Sequence, residues 1–284
     1  MLSRPGPVVS LGVWDAFSAI VAAQEGFKLL TLFGSMASWS MIGKPDSGNI
    51  TQTEMLDAAR RIIRSVSVPV IVDCDDGFGD PMNVRRTVQL VEQLGAAGMY
   101  IEDLARPLRC SALGGGRLVP SDVMVQKIRA AVEARSDPNF FIMARTDDYE
   151  GLDEVVLRAK KYVAAGVDMI LAIGLTSKEA MAKVGKEAGV PISTIQAAGT
   201  RMPLLPRDTL AAMGFKVIFH VPTMFSAAAH AMRQAARDLK ADLDAGTAQP
   251  RVMPGPNPVE MEKMVGLDED DRLQVRYASG SCKR

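Results

Sequence analysis

Acidic residues follow two apolar segments that have the length and composition of β-strands. Residues 70–72 are β-branched and lead into Asp73 and Asp75, and residues 98–101 lead into Glu102. A strand that stops in acid and then turns on glycine places its carboxylates at its carboxyl end. A single such acid is more often a helix N-cap, but two strand ends that carry acids favour a shared cation. Because oxygen ligands suit a hard divalent ion, the spacing predicts a Mg²⁺ site, with Mn²⁺ as the second candidate.

Arg145 ends a third apolar segment, residues 140–144. Its stem is then held by a strand, and its planar fork can bind a substrate carboxylate through two hydrogen bonds. The alternative is an internal ion pair with Asp147 or Asp103. The first reading makes Arg145 a catalytic and substrate-binding residue, and the second makes it structural.

The two remaining candidates for proton transfer are cysteine and histidine. Cys110 lies in a loop that ends in three consecutive glycines, so the loop can move over a site and the thiol can exchange a proton there. A loop cysteine taken alone is more often incidental. Cys74 lies between Asp73 and Asp75 and is predicted to be a packed thiol. His220 and His230 have no partner that the sequence identifies, and we favour structural roles for both.

The elements that must position these residues alternate along the chain. Eight apolar segments of strand length are separated by segments of helical length; the predicted strands are residues 8–13, 29–33, 70–72, 99–101, 140–144, 169–172, 192–195 and 217–220. The first helix is predicted over residues 16–24, a loop over residues 34–48, and an acidic run before a polar tail from residue 268. Strict alternation predicts an α/β fold of the (β/α)8 barrel type. An open doubly wound sheet is the alternative, but no G-x-G-x-x-G follows the first strand. In a barrel, the polar clusters fall on the loops that carry chemistry, which favours an enzyme.

Length, charge and composition limit the kinds of partner that the chain is expected to bind. The chain has 284 residues, and 33 Lys and Arg balance 33 Asp and Glu, so no net charge points to nucleic acid or to a membrane surface. We expect a small-molecule carboxylate partner and, from the three cysteines and the absence of a signal-peptide pattern, a cytoplasmic location. Residues 1–244 are predicted to form the barrel. Residues 245–284, rich in glycine and proline at their start, are predicted to form a C-terminal extension that is mobile or packs on another subunit.

Several motifs together resemble the isocitrate lyase and phosphoenolpyruvate mutase superfamily over about residues 8–244. The motifs are G-V-W-D-A-F-S-A (12–19), G-S-M-A-S (34–38), G-K-P-D (43–46), V-D-C-D-D-G-F-G (72–79), N-V-R-R-T-V (83–88), I-E-D (101–103), K-I-R-A-A-V-E-A-R (127–135) and A-R-T-D (144–147). The resemblance implies a barrel whose eighth helix is exchanged between subunits of a homodimer or homotetramer.

The resemblance also implies how the site is built. Mg²⁺ would be held by Asp73 directly and by Asp75, Glu102 and Asp46 largely through water. The 2-oxo or 2-hydroxy carboxylate end of the substrate would contact four residues: Gly34, Ser35, Arg145 and Trp14.

The chain departs from the superfamily pattern at three places. Isocitrate and methylisocitrate lyases carry K-[KR]-C-G-H, whereas residues 108–112 read L-R-C-S-A, which keeps the cysteine but lacks the lysine and the histidine. A glutamate after the sixth strand is replaced by Ile173-Gly174, and N-x-x-E-G after the seventh strand is absent. Groups that would pair the extra charges of a tricarboxylate are missing, so a smaller 2-hydroxy or 2-oxo diacid fits better.

Three functions follow from this pattern. The leading hypothesis is a Mg²⁺-dependent carbon–carbon lyase that yields a 2-oxo acid and a second carboxylate. The first alternative is an oxaloacetate decarboxylase or hydrolase, and the second is a degenerate barrel that binds a ligand or partner without catalysis. Phosphonate chemistry is less favoured because the loop lacks the lysine and asparagine pattern of the mutases.

Overall fold

Eight parallel strands form a closed barrel in sequence order, β1 to β8. The computed structural model describes residues 6–109, 114–246 and 254–278. The strands are β1 Val8–Val13, β2 Leu30–Leu32, β3 Val70–Asp73, β4 Gly98–Glu102, β5 Phe141–Asp147, β6 Met169–Ile173, β7 Ile192–Gln196 and β8 Phe215–His220. Pairing of β8 with β1 closes the ring. The predicted (β/α)8 fold is therefore confirmed.

Helices follow the strands. They are α1 Ala16–Gln24, α2 Gly34–Ala37, α3 Gln52–Ser65, α4 Pro81–Gln93, α5 Ser121–Ala134, α6 Leu152–Ala164, α7 Lys178–Glu187, α8 Arg207–Ala212, α9 Thr223–Asp244, α10 Pro258–Met264 and α11 Leu267–Ala278. Side-chain caps fix several starts: Asp15, Thr51 and Asp80 each form a capping box, and Pro81 occupies the first turn after Asp80. None of the helices in the described ranges is long and apolar enough to cross a membrane.

Two buried clusters make the core and set the direction of the site residues. One lies between the barrel and its helices, and the other fills the barrel interior and contains Ile71, Tyr100 and Met143. Alternate side chains of a strand face the same side. Asp73, Glu102 and Arg145 each come two positions after one of these interior residues on β3, β4 and β5. They therefore lie on the same faces of the strands, and they are the three charged residues that the sequence analysis singled out.

Two stretches differ from the sequence prediction. Residues 34–42 were expected to be a loop, but they form α2 followed by a π-helical turn, Ser38–Ile42. Residues 268–284 were expected to be an acidic run and a polar tail, but α11 begins at Leu267 and carries Asp268, Glu269 and Asp270 in its first turn. Negative charge at a helix amino terminus is stabilised by the helix dipole, so the acidic run starts a helix.

The chain divides into two compact units, Met1–Phe225 and Ser226–Arg284. This division falls near the start of α9, and the predicted domain boundary after residue 244 stays a prediction. Asp242 is the one buried residue of α9. The first unit contains the whole barrel, and the second contains most of α9 together with α10 and α11. The exchange of a helix between subunits stays a prediction.

Candidate active site

Three carboxylates lie together at the carboxyl ends of β3 and β4. The two strands pair in parallel with Asp73 opposite Tyr100, so Asp73 and Glu102 come from adjacent strand ends. The Asp73 carboxylate accepts hydrogen bonds from the backbone N–H of Gly34 at 2.8 Å and of Asp75 at 3.1 Å. These contacts fix its orientation and draw Asp75 and the start of α2 to the same point.

Charge is crowded at this point. Burial raises the pKa of Asp75 well above its usual range, and the charges of Asp73, Asp46 and Asp76 raise it further. Burial likewise raises the pKa of Glu102; Asp75 and Asp73 add to the increase, although Arg145 opposes it. One carboxylate oxygen of Asp75, Oδ2, is buried without a hydrogen-bond partner. A cation bound there would relieve both the repulsion and the missing contact.

The donor set fits a hydrated ion better than a bare one. Within the described ranges, no three His, Cys, Asp or Glu side chains are arranged as a ready-made metal cage. Mg²⁺ keeps several of its waters in proteins and takes only one or two carboxylates directly. The residues that could hold it are Asp73, Asp75, Glu102 and Asp46, and the unpartnered Oδ2 of Asp75 supports that fit. The resemblance implies a direct contact for Asp73 and contacts through water for the other three.

Arg145 is held between two carboxylates. Its Nη1 lies 2.7 Å from Glu102 Oε2, and its Nε and Nη2 lie 2.9 and 3.0 Å from the two oxygens of Asp147. Burial acts to lower its pKa, but Asp147 and Glu102 outweigh burial and raise it, so the guanidinium stays charged. The ion pair with Asp147 that the sequence left open is present. The side chain also lines the cavity at the mouth, so the two readings do not exclude each other.

Asp103, the other candidate partner, faces the opposite way. It accepts hydrogen bonds from Tyr162 Oη at 2.6 Å and Thr146 Oγ1 at 2.8 Å, and Arg158 Nη1 lies 3.2 Å away. Burial raises its pKa to about 6 although these donors lower it. Asp103 therefore ties β4 to β5 and α6 behind the mouth.

A cavity of about 440 Å³ opens over the carboxylates. Its lining includes four of the predicted site residues: Ser35, Asp46, Asp73 and Arg145. It also includes Trp39 and Tyr100, which the sequence analysis missed. A larger cavity of about 830 Å³ lies at the start of β1, but among the described residues its charged lining is limited to Lys28 and Arg207. The smaller cavity, which contains acidic residues and Arg145, is therefore the candidate active site.

Trp14 is not among the residues that line this cavity. Its ring packs on Phe225 with centroids 5.0 Å apart, and Phe225 also contacts the Trp39 ring at 5.3 Å. Trp39, which comes from the π-helical turn, is the tryptophan that lines the cavity. Because the sequence predicts a loop here, it does not predict which way the Trp39 side chain points.

The remaining candidates fall in different places. Cys74 is fully buried, and burial together with Asp73 and Asp75 raises its pKa, as expected for a packed thiol. Burial lowers the pKa of His220, which alternates with the interior residues Phe219 and Val221 and so faces away from the mouth. Cys110 lies outside the described residues.

Asp76 is set apart from its acidic neighbours. It forms two hydrogen bonds to Arg106, at 2.9 and 2.7 Å, and its carboxylate lies 3.7 Å from Lys127 Nζ. The same Lys127 donates to the Asp76 backbone carbonyl at 2.7 Å. Asp76 is therefore neutralised by the protein, unlike Asp73 and Asp75.

A closed parallel barrel with clustered carboxylates and an arginine at its carboxyl-end mouth has the arrangement of a (β/α)8-barrel enzyme. The sequence profile of the phosphoenolpyruvate phosphomutase family matches residues 1–240. The chain therefore belongs to this family, and the predicted membership of the isocitrate lyase and phosphoenolpyruvate mutase superfamily is confirmed.

Relatives in this family catalyse more than one reaction. The chain is 35% identical over 285 residues to 2,3-dimethylmalate lyase of Eubacterium barkeri, a match that covers 99% of this chain and 96% of the relative. It is 34% identical over 275 residues to an oxaloacetate decarboxylase of Bradyrhizobium sp., covering 95% and 92%. A structure of oxaloacetate acetylhydrolase with the inhibitor 3,3-difluorooxalacetate superposes with a TM-score of 0.87 at 31% identity, covering 97% and 93%. The assignment as an enzyme of a lyase-containing superfamily is confirmed.

Proposed function

We propose that the chain is a Mg²⁺-dependent carbon–carbon lyase that cleaves a small 2-hydroxy or 2-oxo dicarboxylate into a 2-oxo acid and a second carboxylate. The observation that carries the proposal is the convergence of Asp73, Asp75 and Glu102 beside Arg145, with Asp73 and Arg145 in the lining of one cavity. Relatives that include 2,3-dimethylmalate lyase support the reaction class.

The protein side of the metal site follows from the contacts already given. Asp73 would ligate Mg²⁺ directly, while Asp75, Glu102 and Asp46 would bind its waters. Bound there, the ion would act as a Lewis acid toward the 2-oxygen of the substrate. The Gly34 N–H holds one Asp73 oxygen in place, so the carboxylate is oriented before any ligand arrives.

Arg145 and Ser35 receive the proximal end of the substrate. Arg145 is buried and charged, and the ion pairs to Glu102 and Asp147 hold its guanidinium at the cavity wall. A fixed positive charge stabilises negative charge that develops on the 2-oxygen region during bond cleavage. Ser35, at the start of α2, lines the same wall and can donate a hydrogen bond to the carboxylate.

Cys110 is proposed as the acid of the cleavage reaction. When the C2–C3 bond of a 2-hydroxy diacid breaks, the 2-hydroxyl loses its proton to water and C2 becomes a carbonyl carbon. The electron pair of the broken bond stays on C3 of the departing carboxylate, and C3 must then gain a proton. Cys110 is the residue of the loop that the sequence offers for this proton. The proposal for Cys110 stands on the sequence alone.

The second candidate is decarboxylation or hydrolysis of an oxaloacetate-like 2-oxo diacid. It is favoured by the match to an oxaloacetate decarboxylase over 95% of the chain and by the structural match to oxaloacetate acetylhydrolase. It uses the same proximal site but needs no protonated cysteine. The hypothesis of a non-catalytic barrel is not favoured, because the chain belongs to a family of enzymes and has the acidic residues Asp73, Asp75 and Glu102 together with Arg145.

A turnover screen tests the proposal. Small 2-hydroxy and 2-oxo diacids are supplied with and without Mg²⁺, and released 2-oxo acid and CO2 are measured separately. A lyase gives 2-oxo acid in a Mg²⁺-dependent reaction that Cys110→Ala abolishes while oxalate still binds. CO2 release from oxaloacetate that persists in Cys110→Ala selects the decarboxylase, and full lyase activity in that variant rules out the acid role.

A further inference from the structure

The active-site cavity has a second cationic side chain on its far wall. Asp73 ends β3, whereas Arg201 lies in the loop between β7 and α8, and both line the cavity. Strands four places apart in a closed ring of eight face each other across it. A ligand that starts at Asp73 and extends across the mouth therefore approaches Arg201.

The two arginines of the cavity differ in what surrounds their charge. Arg145 is neutralised by Glu102 and Asp147. Arg201 is exposed and forms no hydrogen bond or ion pair with any residue in the described ranges. Its positive charge is therefore balanced by nothing that the described part of the protein supplies, and the guanidinium can pair with an anion in the cavity.

The wall beside Arg201 is apolar. Ile173, Ile195, Met202, Val221 and Pro222 line this half of the cavity. Such a wall suits the hydrocarbon middle of a short ligand and gives a carboxylate no other donor of charge. The cavity thus has a charged proximal end, an apolar middle and one cation at its distal rim.

We propose that Arg201 binds the distal carboxylate of the substrate and thereby makes the enzyme selective for dicarboxylates over the matching monocarboxylates. The inference rests on the proposed function, which places the proximal carboxylate at Arg145 and Ser35. It names the substrate class as short 2-hydroxy or 2-oxo diacids with an apolar middle.

Equilibrium binding tests the inference with malate and lactate, two 2-hydroxy acids that differ by the distal carboxylate. Calorimetry with Mg²⁺ present compares wild type, Arg201→Gln and Arg201→Lys, and oxalate probes the proximal site alone. Loss of a charged hydrogen bond should weaken malate binding about ten- to a hundred-fold in Arg201→Gln, while lactate and oxalate change by less than about two-fold. Arg201→Lys should retain part of the malate affinity because the charge remains.

A matched charge control is Arg86→Gln, since Arg86 is exposed on α4 and does not line the cavity. It should leave all three affinities unchanged. Unchanged malate affinity in Arg201→Gln, or equal weakening of all three ligands, overturns the inference. Failure of wild type to bind oxalate with Mg²⁺ overturns the proposed function. The inference about Arg201 is then retained only if malate binding still depends on Arg201. If malate does not bind either, the inference is overturned together with the proposed function.

Discussion

Asp75 and Asp76 are adjacent in the chain and have opposite surroundings. Asp75 has an unpartnered buried oxygen and three acidic neighbours, whereas Asp76 is paired with Arg106 and Lys127. The turn at residues 75–78 separates them, because Asp75 and Phe78 adopt positive φ values of 45° and 61°. In the sequence the two residues belong to one acidic run. In the fold Asp75 belongs to the candidate metal site, whereas Asp76 forms a structural ion pair.

This division predicts contrasting variants. Asp75→Asn should lower Mg²⁺ affinity at least about ten-fold without loss of stability, because the raised pKa of Asp75 means that its charge destabilises the fold at neutral pH. Asp76→Asn should leave Mg²⁺ affinity within about three-fold but cost about 2–3 kcal/mol, because Lys127 and Arg106 lose their partner. Mg²⁺ calorimetry and urea unfolding measure the two effects. The reverse pattern, with Asp76 controlling the metal, would contradict the assignment.

Gly34 is a second residue whose type the site requires. A β-carbon there would lie 3.0 Å from Asp75 Oδ1 and 3.1 Å from Asp73 Oδ2. Gly34→Ala should therefore displace both carboxylates and reduce Mg²⁺-supported turnover at least about ten-fold, with a change in unfolding free energy of about 1 kcal/mol. Titration of activity with Mg²⁺ and thermal unfolding check the result.

Gly43→Ala is the matched control for Gly34→Ala. Gly43 ends the neighbouring π-helical turn at φ 60°, and a β-carbon there meets nothing within 4 Å. The control should cost about 1 kcal/mol from backbone strain and leave Mg²⁺ dependence unchanged. Similar losses of Mg²⁺-supported turnover in both variants would mean that Gly34 acts through local stability and not through the carboxylates.

At the scale of elements, strand periodicity predicted most of the fold. The first strand and first helix, Val8–Val13 and Ala16–Gln24, have the predicted bounds. Strand β5 runs past the predicted end to Asp147 because Arg145 and Asp147 occupy one face of the strand and pair with each other there. Polarity at a barrel mouth therefore does not end a strand.

The contacts of Arg145 were beyond the reach of the sequence because they depend on register. Glu102 and Arg145 are directly opposite each other in the β4–β5 ladder. A shift of one residue would turn one of the two side chains toward the helices. Residues 34–42 were missed for a related reason, since a short helix is marginal alone and the Asp73 carboxylate that accepts from the first N–H of this one lies 39 residues away in the chain.

The π-helical turn gives a prediction of its own through Trp39. Trp39 is 37% exposed and lines the cavity, whereas Trp14 is half-buried and packs on Phe225. Trp39→Ala should raise KM about five- to ten-fold and change the unfolding free energy by less than about 1 kcal/mol. Trp14→Ala should cost about 2–3 kcal/mol of stability with a smaller effect on KM. Steady-state kinetics and urea unfolding distinguish the effects of the two variants. A larger effect on KM for Trp14→Ala than for Trp39→Ala would mean that Trp14, and not Trp39, forms the aromatic wall of the substrate site.

At the scale of the whole molecule, the second unit carries exposed apolar side chains among its described residues. Met232 and Leu243 on α9 are 63% and 61% exposed, and Val275 and Tyr277 on α11 are 72% and 69% exposed. Large apolar side chains exposed in this number on a single unit are typical of an interaction surface. The family resemblance implies that helices of this region are shared between subunits, and the exposed apolar residues agree with that expectation.

Assembly is therefore the last prediction. Light scattering of the purified protein should give the mass of a homodimer or homotetramer, because burial of Met232 and Leu243 between subunits removes apolar surface from water. Met232→Glu combined with Leu243→Glu should shift the mass to that of a monomer and lower Tm, since charge cannot be buried there without a partner. Exposed Arg86→Glu on the barrel is the control and should leave the mass unchanged. A wild-type monomer at micromolar concentration, or an assembly that survives both glutamates, would show that α9 has no role in subunit contact.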